Sequence, residues 1–184
     1  MNFIPTPIAD LFIIEPKVWK DNRGYFYESF SGRAFAAQGI EADFVQDNQS
    51  FSQKGTLRGL HAQTAPFAQG KLVRVIQGSV LDVAVDARKD SPTYGQHFSL
   101  ELNGDNHKQL WVPPGFLHGF LTLEDDTIFT YKVTNYYDKE SEVGVIWNDS
   151  DLNINWVADL NPEELLLSDK DLVLPAFKDW ASPF

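Results

Sequence analysis

From about residue 44 to 147 the chain is a succession of short apolar or alternating runs broken by Gly, Pro, Asn and Asp, which predicts many strands joined by turns. The run KLVRVIQGSVLDVAVDA shows the pattern best. Leu72 to Ile76 reads as one strand, Gln77-Gly78 as a turn, and Val80 to Val85 as a second strand with Leu81, Val83 and Val85 on one face. The two are expected to pair with each other. In HFSLELNGDNHKQLWVPPGFLHGFLTL, Phe98, Leu100 and Leu102 alternate before an Asn-Gly-Asp-Asn turn. TIFTYKVTNYY sets Phe129, Tyr131 and Val133 on one side of a strand and Ile128, Thr130 and Lys132 on the other. So many strands suit an all-β barrel or sandwich of jelly-roll type.

Helical signals are few and lie outside that region. Ser31 is a candidate cap for GRAFAAQ with Gly39 as its stop, and Asn161, Pro162, Glu163 and Glu164 supply a cap, a first-turn proline and an acidic first turn. Both helices should be short and peripheral. With no internal repeat, low-complexity linker or shift in composition, residues 1–184 read as a single domain, closed by a short helical C-terminal appendage from about residue 160 packed on the barrel.

Composition narrows the function. A chain of 184 residues that is 43% hydrophobic can bury one sizeable core and is too short for two full domains. Aromatic residues, at 14%, supply both a strand-built core and contacts for planar ligands. The lack of cysteine removes disulfides, thiolate catalysis and cysteine metal sites, and fits a reducing cytosol. No run approaches the roughly 18 apolar residues of a membrane span, and MNFIPTPIADLF has neither a basic start nor a continuous apolar stretch. The expectation is a cytoplasmic protein without a membrane partner. A formal net charge of -11 argues against nucleic-acid binding, so an anionic ligand must find a local cluster of cations.

Of the four histidines, His97 falls in an alternating strand and His107 in a turn, so both are expected to face solvent. His61 in RGLHAQ and His118 in PPGFLHGF each follow a glycine-containing turn, where a barrel wall can present a polar group inward. A metal would need more ligands: Gln63 stands where a second histidine of a His-x-His pair would be, and TAPFAQGK holds no acidic residue. AQGKL also lacks the spacing of a phosphate-binding loop. What remains is acid–base chemistry without metal or cofactor, with Arg23, Arg58, Lys71 and His118 as candidates for holding an anion. Strict alternation would point Arg58 away from His61. Either Gly59 makes a bulge that re-aims one of them, or only one faces the site.

The segments EPKVWKDNRGYFYES, FVQDNQS, TLRGLHAQ, AQGKLVRVIQGSVLDVAVDAR, SPTYGQ, QLWVPPGFLHGF, YKVTNYY and LSDKD together resemble the dTDP-4-dehydrorhamnose 3,5-epimerases, in order from about residue 13 to 175. The resemblance implies a metal-independent jelly-roll of cupin type and a homodimer. The substrate it implies is a small-molecule nucleotide sugar, a 4-keto-6-deoxyhexose on dTDP, inverted at both carbons flanking the ketone. It further implies His61 as the base, Asp171 of SDKD as its dyad partner in preference to Asp169, Lys71 facing the enolate oxygen, and Tyr131 returning a proton from the opposite face. Arg58 and His118 are placed near the substrate. Arg23, Glu28, Gln46, Asn48 and Tyr137 are placed around the nucleotide, some of them reaching in from a partner subunit. Asp82 is a further hydrogen-bonding group near the base. The sequence departs from the family pattern at Ala62, where a large aromatic commonly follows the histidine, and at Trp19, where phenylalanine is usual; both bear on pocket shape. Two alternatives stay open: an enzyme of the same fold that epimerises one carbon or shifts the ketone, and a sugar-binding module without catalysis.

Overall fold

The computed structural model describes residues 1–156 and 162–184. The chain begins with β1 (Asn2–Pro5) and β2 (Phe12–Glu15), then a small hairpin of β3 (Trp19–Asp21) and β4 (Gly24–Phe26), then one helix, α1 (Gly32–Ala36). The barrel strands follow: β5 (Gln46–Ser52), β6 (Leu57–Gln63), β7 (Lys71–Gln77), β8 (Ser79–Asp86) and β9 (His97–Asn103). They continue as β10 (Gln109–Val112), β11 (Phe116–Thr122), β12 (Thr127–Val133) and a short β13 (Glu142–Gly144).

Two antiparallel sheets result, one in the order β1-β2-β10-β7-β12-β5 and one in the order β13-β6-β11-β8-β9. This is the all-β jelly-roll the strand pattern predicts, with one correction. β7 and β8 do not pair: β7 lies between β10 and β12 in the first sheet, while β8 lies between β11 and β9 in the second. The Gln77-Gly78 break is a corner between sheets, not a hairpin. Gly78 makes it sharp, with φ +78, and a Cβ there would run into Thr127.

The core has three layers. Val73, Val75, Leu110 and Phe129 of one sheet meet Val80, Ala84, Leu102, Phe116 and Phe120 of the other inside the barrel. Leu57, Val83, Val85, Leu117 and Leu121 form the outer face of the second sheet, where Trp156, Phe177, Trp180 and Phe184 cover them. Phe35 and Ile40 cover Ile14, Leu72 and Trp111 on the outside of the first sheet. β8 and β11 are therefore covered on both faces, and the polar side chains they carry, Asp82, Asp86 and His118, are buried with their hydrophobic neighbours.

The helical expectations shrink. α1 is five residues long, and Ser31 sits at its cap position without a side-chain hydrogen bond to the helix. Gly39, at φ +76, does stand just beyond its end. Among the described residues the appendage has 3₁₀ turns at Pro162–Glu164 and Phe177–Asp179 and is otherwise non-helical; Asn161 lies outside the described residues. It is anchored by a parallel bridge between Thr56 and Leu166, by Ile146 N–H donating to Pro175 O, and by Phe177 N–H donating to Asp149. Among the described residues no helix is long and apolar enough to cross a membrane.

Candidate active site

A cleft of about 580 Å³ opens between the two sheets, and both contribute to its wall. His61 enters from β6. Opposite it on β11 stands His118, while Arg58 stands opposite Phe120, so β6 uses two residues, Gly59 and Leu60, where β11 uses one, Gly119. The register shift is a bulge, and it brings both Arg58 and His61 to the cleft against the alternation of a flat strand. Gly59 makes it possible: its φ is +128, and a Cβ there would meet Gly119 at 2.5 Å. Of the two arrangements the sequence left open, the bulge is the one that forms.

The appendage returns to the cleft mouth and presents Asp171 to His61. His61 Nε2 lies 2.5 Å from Asp171 Oδ1, and Ser168 donates its hydroxyl to Oδ2 at 2.8 Å. A tight turn, Asp171 N–H to Ser168 O at 3.0 Å, fixes that carboxylate. Burial pushes the Asp171 carboxyl up, but its hydrogen bond to His61, the imidazole's charge and the Ser168 hydroxyl outweigh burial and hold it below the usual carboxylate value. Asp171 is only 2% exposed, whereas the His61 side chain is 19% exposed toward the cleft.

A second histidine–carboxylate pair lies deeper. His118 Nε2 is 3.0 Å from both oxygens of Asp82, which is fully buried on β8. Asp82 thus pairs with His118, whereas the resemblance set it beside His61. Lys71 begins β7; burial lowers its ammonium to about 8, and the charges of Asp82 and Glu142 oppose that fall. Tyr131 projects from β12, in the sheet that carries Lys71 and not in that of His61, and burial pushes its phenol up while Arg58 pulls it down. Glu142 is desolvated, yet Lys170, at 2.5 Å, and the charge of His61 keep it below the ordinary value. Arg58, Lys71 and Lys170 line one cleft in a chain of net charge -11, the local cluster of cations that an anionic ligand requires.

The family model for dTDP-4-dehydrorhamnose 3,5-epimerase matches residues 5–179. The chain belongs to this family. It is 52% identical over 180 residues to the dTDP-4-dehydrorhamnose 3,5-epimerase of Shigella flexneri, covering 97% of each chain. Its fold superposes with a TM-score of 0.92 on the crystal structure of the dTDP-4-dehydrorhamnose 3,5-epimerase of Elizabethkingia anophelis, at 47% identity and 97% coverage of both chains. The dTDP-6-deoxy-D-glucose-3,5-epimerase of Legionella pneumophila, solved in complex with dTDP-4-keto-L-rhamnose, gives a TM-score of 0.90 at 48% identity, covering 96% of this chain and 93% of that one.

Within the epimerase fold, most of the residues singled out from the sequence converge. His61, Asp171, Lys71, Tyr131, Arg58 and His118 line the cleft, as do Gln46, Asn48 and Tyr137. Arg23 and Glu28 do not. Arg23 lies at the turn of the β3–β4 hairpin, exposed and bound to Asp21 at 2.5 Å. Ala62 lines the cleft, and the exposed Trp19 lies on the hairpin. Gln63 acts as a clamp: its amide donates to Phe67 O and Tyr136 O and accepts from Asp138 N–H. His107 is not solvent-facing; it is 7% exposed and packs 4.6 Å from the Tyr25 ring and 5.1 Å from that of Tyr27. His97 is half-buried. Sequence reasoning missed Glu142, Lys170 and Ser168. The last two sit in the quoted SDKD motif, but Glu142 is one of several acids in DKESE, and only the pairing of β13 with β6 brings it beside Gln63.

Proposed function

We propose that this protein, acting as one domain over residues 1–184, inverts C3 and C5 of dTDP-4-dehydro-6-deoxy-D-glucose to give dTDP-4-dehydro-L-rhamnose. Family membership supports the substrate class. The observation that carries the chemistry is that His61 and Tyr131 enter one cleft from different sheets, because inversion requires a proton to leave one face of a carbon and return to the other. His61, oriented by ionised Asp171, removes the proton next to the C4 ketone. Lys71 and Arg58 offset the charge that develops on the ketone oxygen. Tyr131, its phenol kept protonated by burial, gives a proton to the opposite face. Solvent then takes the proton from His61 and restores that of Tyr131, and the cycle repeats at the second carbon. Gln63, its amide committed to the backbone, supports a route that runs through side chains alone.

We further infer a homodimer. The hairpin exposes Trp19, Tyr25 and Phe26, the last at 70%, and β5 is a sheet edge bearing the exposed Phe51. Such surfaces suit coverage by a second copy, which would bring Arg23 and Glu28 to a neighbour's nucleotide. A fully active monomer in sedimentation would overturn this.

Incubation with dTDP-4-keto-6-deoxyglucose in deuterated water, read by NMR, tests the activity. Label at both carbons is expected. Label at one would make the protein a single-carbon epimerase, and label at neither would make it a binding module.

A further inference from the structure

The cleft wall contains a hydroxyl that the fold itself does not use. Ser50 lies on β5, where alternate residues face the same way, so Asn48, Ser50 and Ser52 share the side turned into the barrel. Asn48 pairs with Tyr131 and Ser50 with Phe129. Arg58 reaches Ser52, with Nη2 3.4 Å from Oγ. Ser50 therefore stands between the proton donor proposed above and the guanidinium. The oxygen of the neighbouring Asn48 side chain is occupied: Oδ1 accepts from Gln46 Nε2 at 2.8 Å. Ser50 lines the cleft, yet its Oγ is buried just beneath the wall with no hydrogen-bond partner. A hydroxyl in that state costs free energy until a partner is supplied. Thr122 Oγ1 is in the same state, but Thr122 lies opposite Val80 and does not line the cleft.

We propose that Ser50 binds a hydroxyl of the sugar, turning about χ1 from one staggered well to another so that Oγ enters the cleft. The assignment rests on the epimerase reading. A 4-keto-6-deoxyhexose linked through C1 to a diphosphate keeps free hydroxyls only at C2 and C3, and a serine can both donate to and accept from either. The surroundings favour sugar over base: Ser50 lies opposite Phe129, whose ring stacks on Phe120 at 4.2 Å and lies 5.9 Å from that of Tyr131, whereas the exposed Tyr137 marks the mouth. Ser50 thereby discriminates hydroxylated from deoxygenated sugars.

The test compares wild type, Ser50→Ala and Thr122→Val on the parent substrate and on its 2-deoxy and 3-deoxy analogues. On the parent, Ser50→Ala should lose roughly 3- to 10-fold in kcat/KM, the range for one neutral hydrogen bond, and should melt no lower than wild type because no protein hydrogen bond is removed. Thr122→Val should match wild type kinetically. One analogue should erase the difference between wild type and Ser50→Ala, the 2-deoxy sugar if the partner is the C2 hydroxyl and the 3-deoxy sugar if it is that of C3. The proposal is overturned if Ser50→Ala is kinetically silent, if its deficit persists with both analogues, or if its melting temperature falls. A wild-type protein with no turnover of the parent overturns the epimerase reading itself and this assignment with it.

Discussion

His61–Asp171 and His118–Asp82 are chemically the same pair, set on facing positions of adjacent strands, and they are built in opposite ways. Asp82 reaches His118 across a regular ladder, Asp82 opposite Phe120 and His118 opposite Ala84, between strands covered on both faces. Asp171 reaches His61 from 110 residues away along the chain, on a turn in the appendage, and His61 itself stands beyond a bulge. The regular pair is buried, with His118 only 7% exposed; the irregular one has an imidazole 19% exposed toward the cleft. Proton transfer needs a base that can reach substrate and solvent, whereas a fixed charge needs only to hold still. The irregular construction therefore fits the proposed base, and the regular one fits a group held in place.

The largest effect follows from that division. His61→Asn removes the proposed base and should lower kcat/KM and solvent exchange together by roughly 10²- to 10⁴-fold. His118→Asn should leave exchange at C5 and C3 far closer to wild type, because the ring nitrogen of His118 nearest Asp82 is already committed to it. Exchange measurements on the two variants decide it, and equal losses would erase the distinction between the pairs.

Tyr131→Phe should cost less in exchange than in inversion. With the phenol gone, His61 can still take a proton and return it to the same face, so solvent label should enter the substrate faster than product forms. If exchange stops as completely as in His61→Asn, the base and the acid are interchanged.

How much of this contrast was readable beforehand depends on the range of the contacts. His61 and Arg58 were legible as a pair in LRGLH, and the glycine between them marked a bulge as one of two outcomes, but only the register against Gly119 decides it. Asp171 was legible through its motif, not through physics, since nothing in the local sequence sends the tail back to His61. The expected β7–β8 hairpin failed for a related reason: a glycine turn reports a sharp bend, and the bend serves a sheet corner as well as a hairpin. His107 looked exposed because the rings that bury it, Tyr25 in β4 and Tyr27 just beyond it, come from a segment far earlier in the chain. Asp82 and Glu142 needed the strand order.

The two carboxylates should also part company in stability. Asp82→Ala leaves the buried Nε2 of His118 without its hydrogen-bond partner and should destabilise by about 1–3 kcal/mol, the cost of a buried polar group left unsatisfied. Asp171→Ala leaves His61 with access to water in the cleft and should lower stability less while lowering activity more. Asp171 carries its own pH signature: its folded carboxyl lies below the usual value, so its contribution is full above about pH 4 and is lost as pH falls through the folded value. Acid titration of wild type and Asp171→Asn, followed by circular dichroism, should show the wild type losing its advantage in that window.

The smallest effect is a displacement in a pH profile, and it concerns what the buried carboxylate does at a distance. Burial lowers Lys71 to about 8, and the negative charges of Asp82 and, after it, Glu142 oppose a further fall. The protonated form is the one that can stabilise an enolate, so kcat/KM, which reports groups of the free enzyme, should decline on the alkaline side around pH 8. Asp82→Asn keeps a hydrogen-bonding group beside His118 but removes the charge, so the alkaline limb should move to lower pH while the acid limb stays in place. Asp171→Asn should do the reverse, disturbing the limb that reports the base and leaving that of Lys71 alone. If both variants shift the same limb, the two pairs act as a single charged network, and the separation between a mobile base and a fixed charge does not describe this cleft.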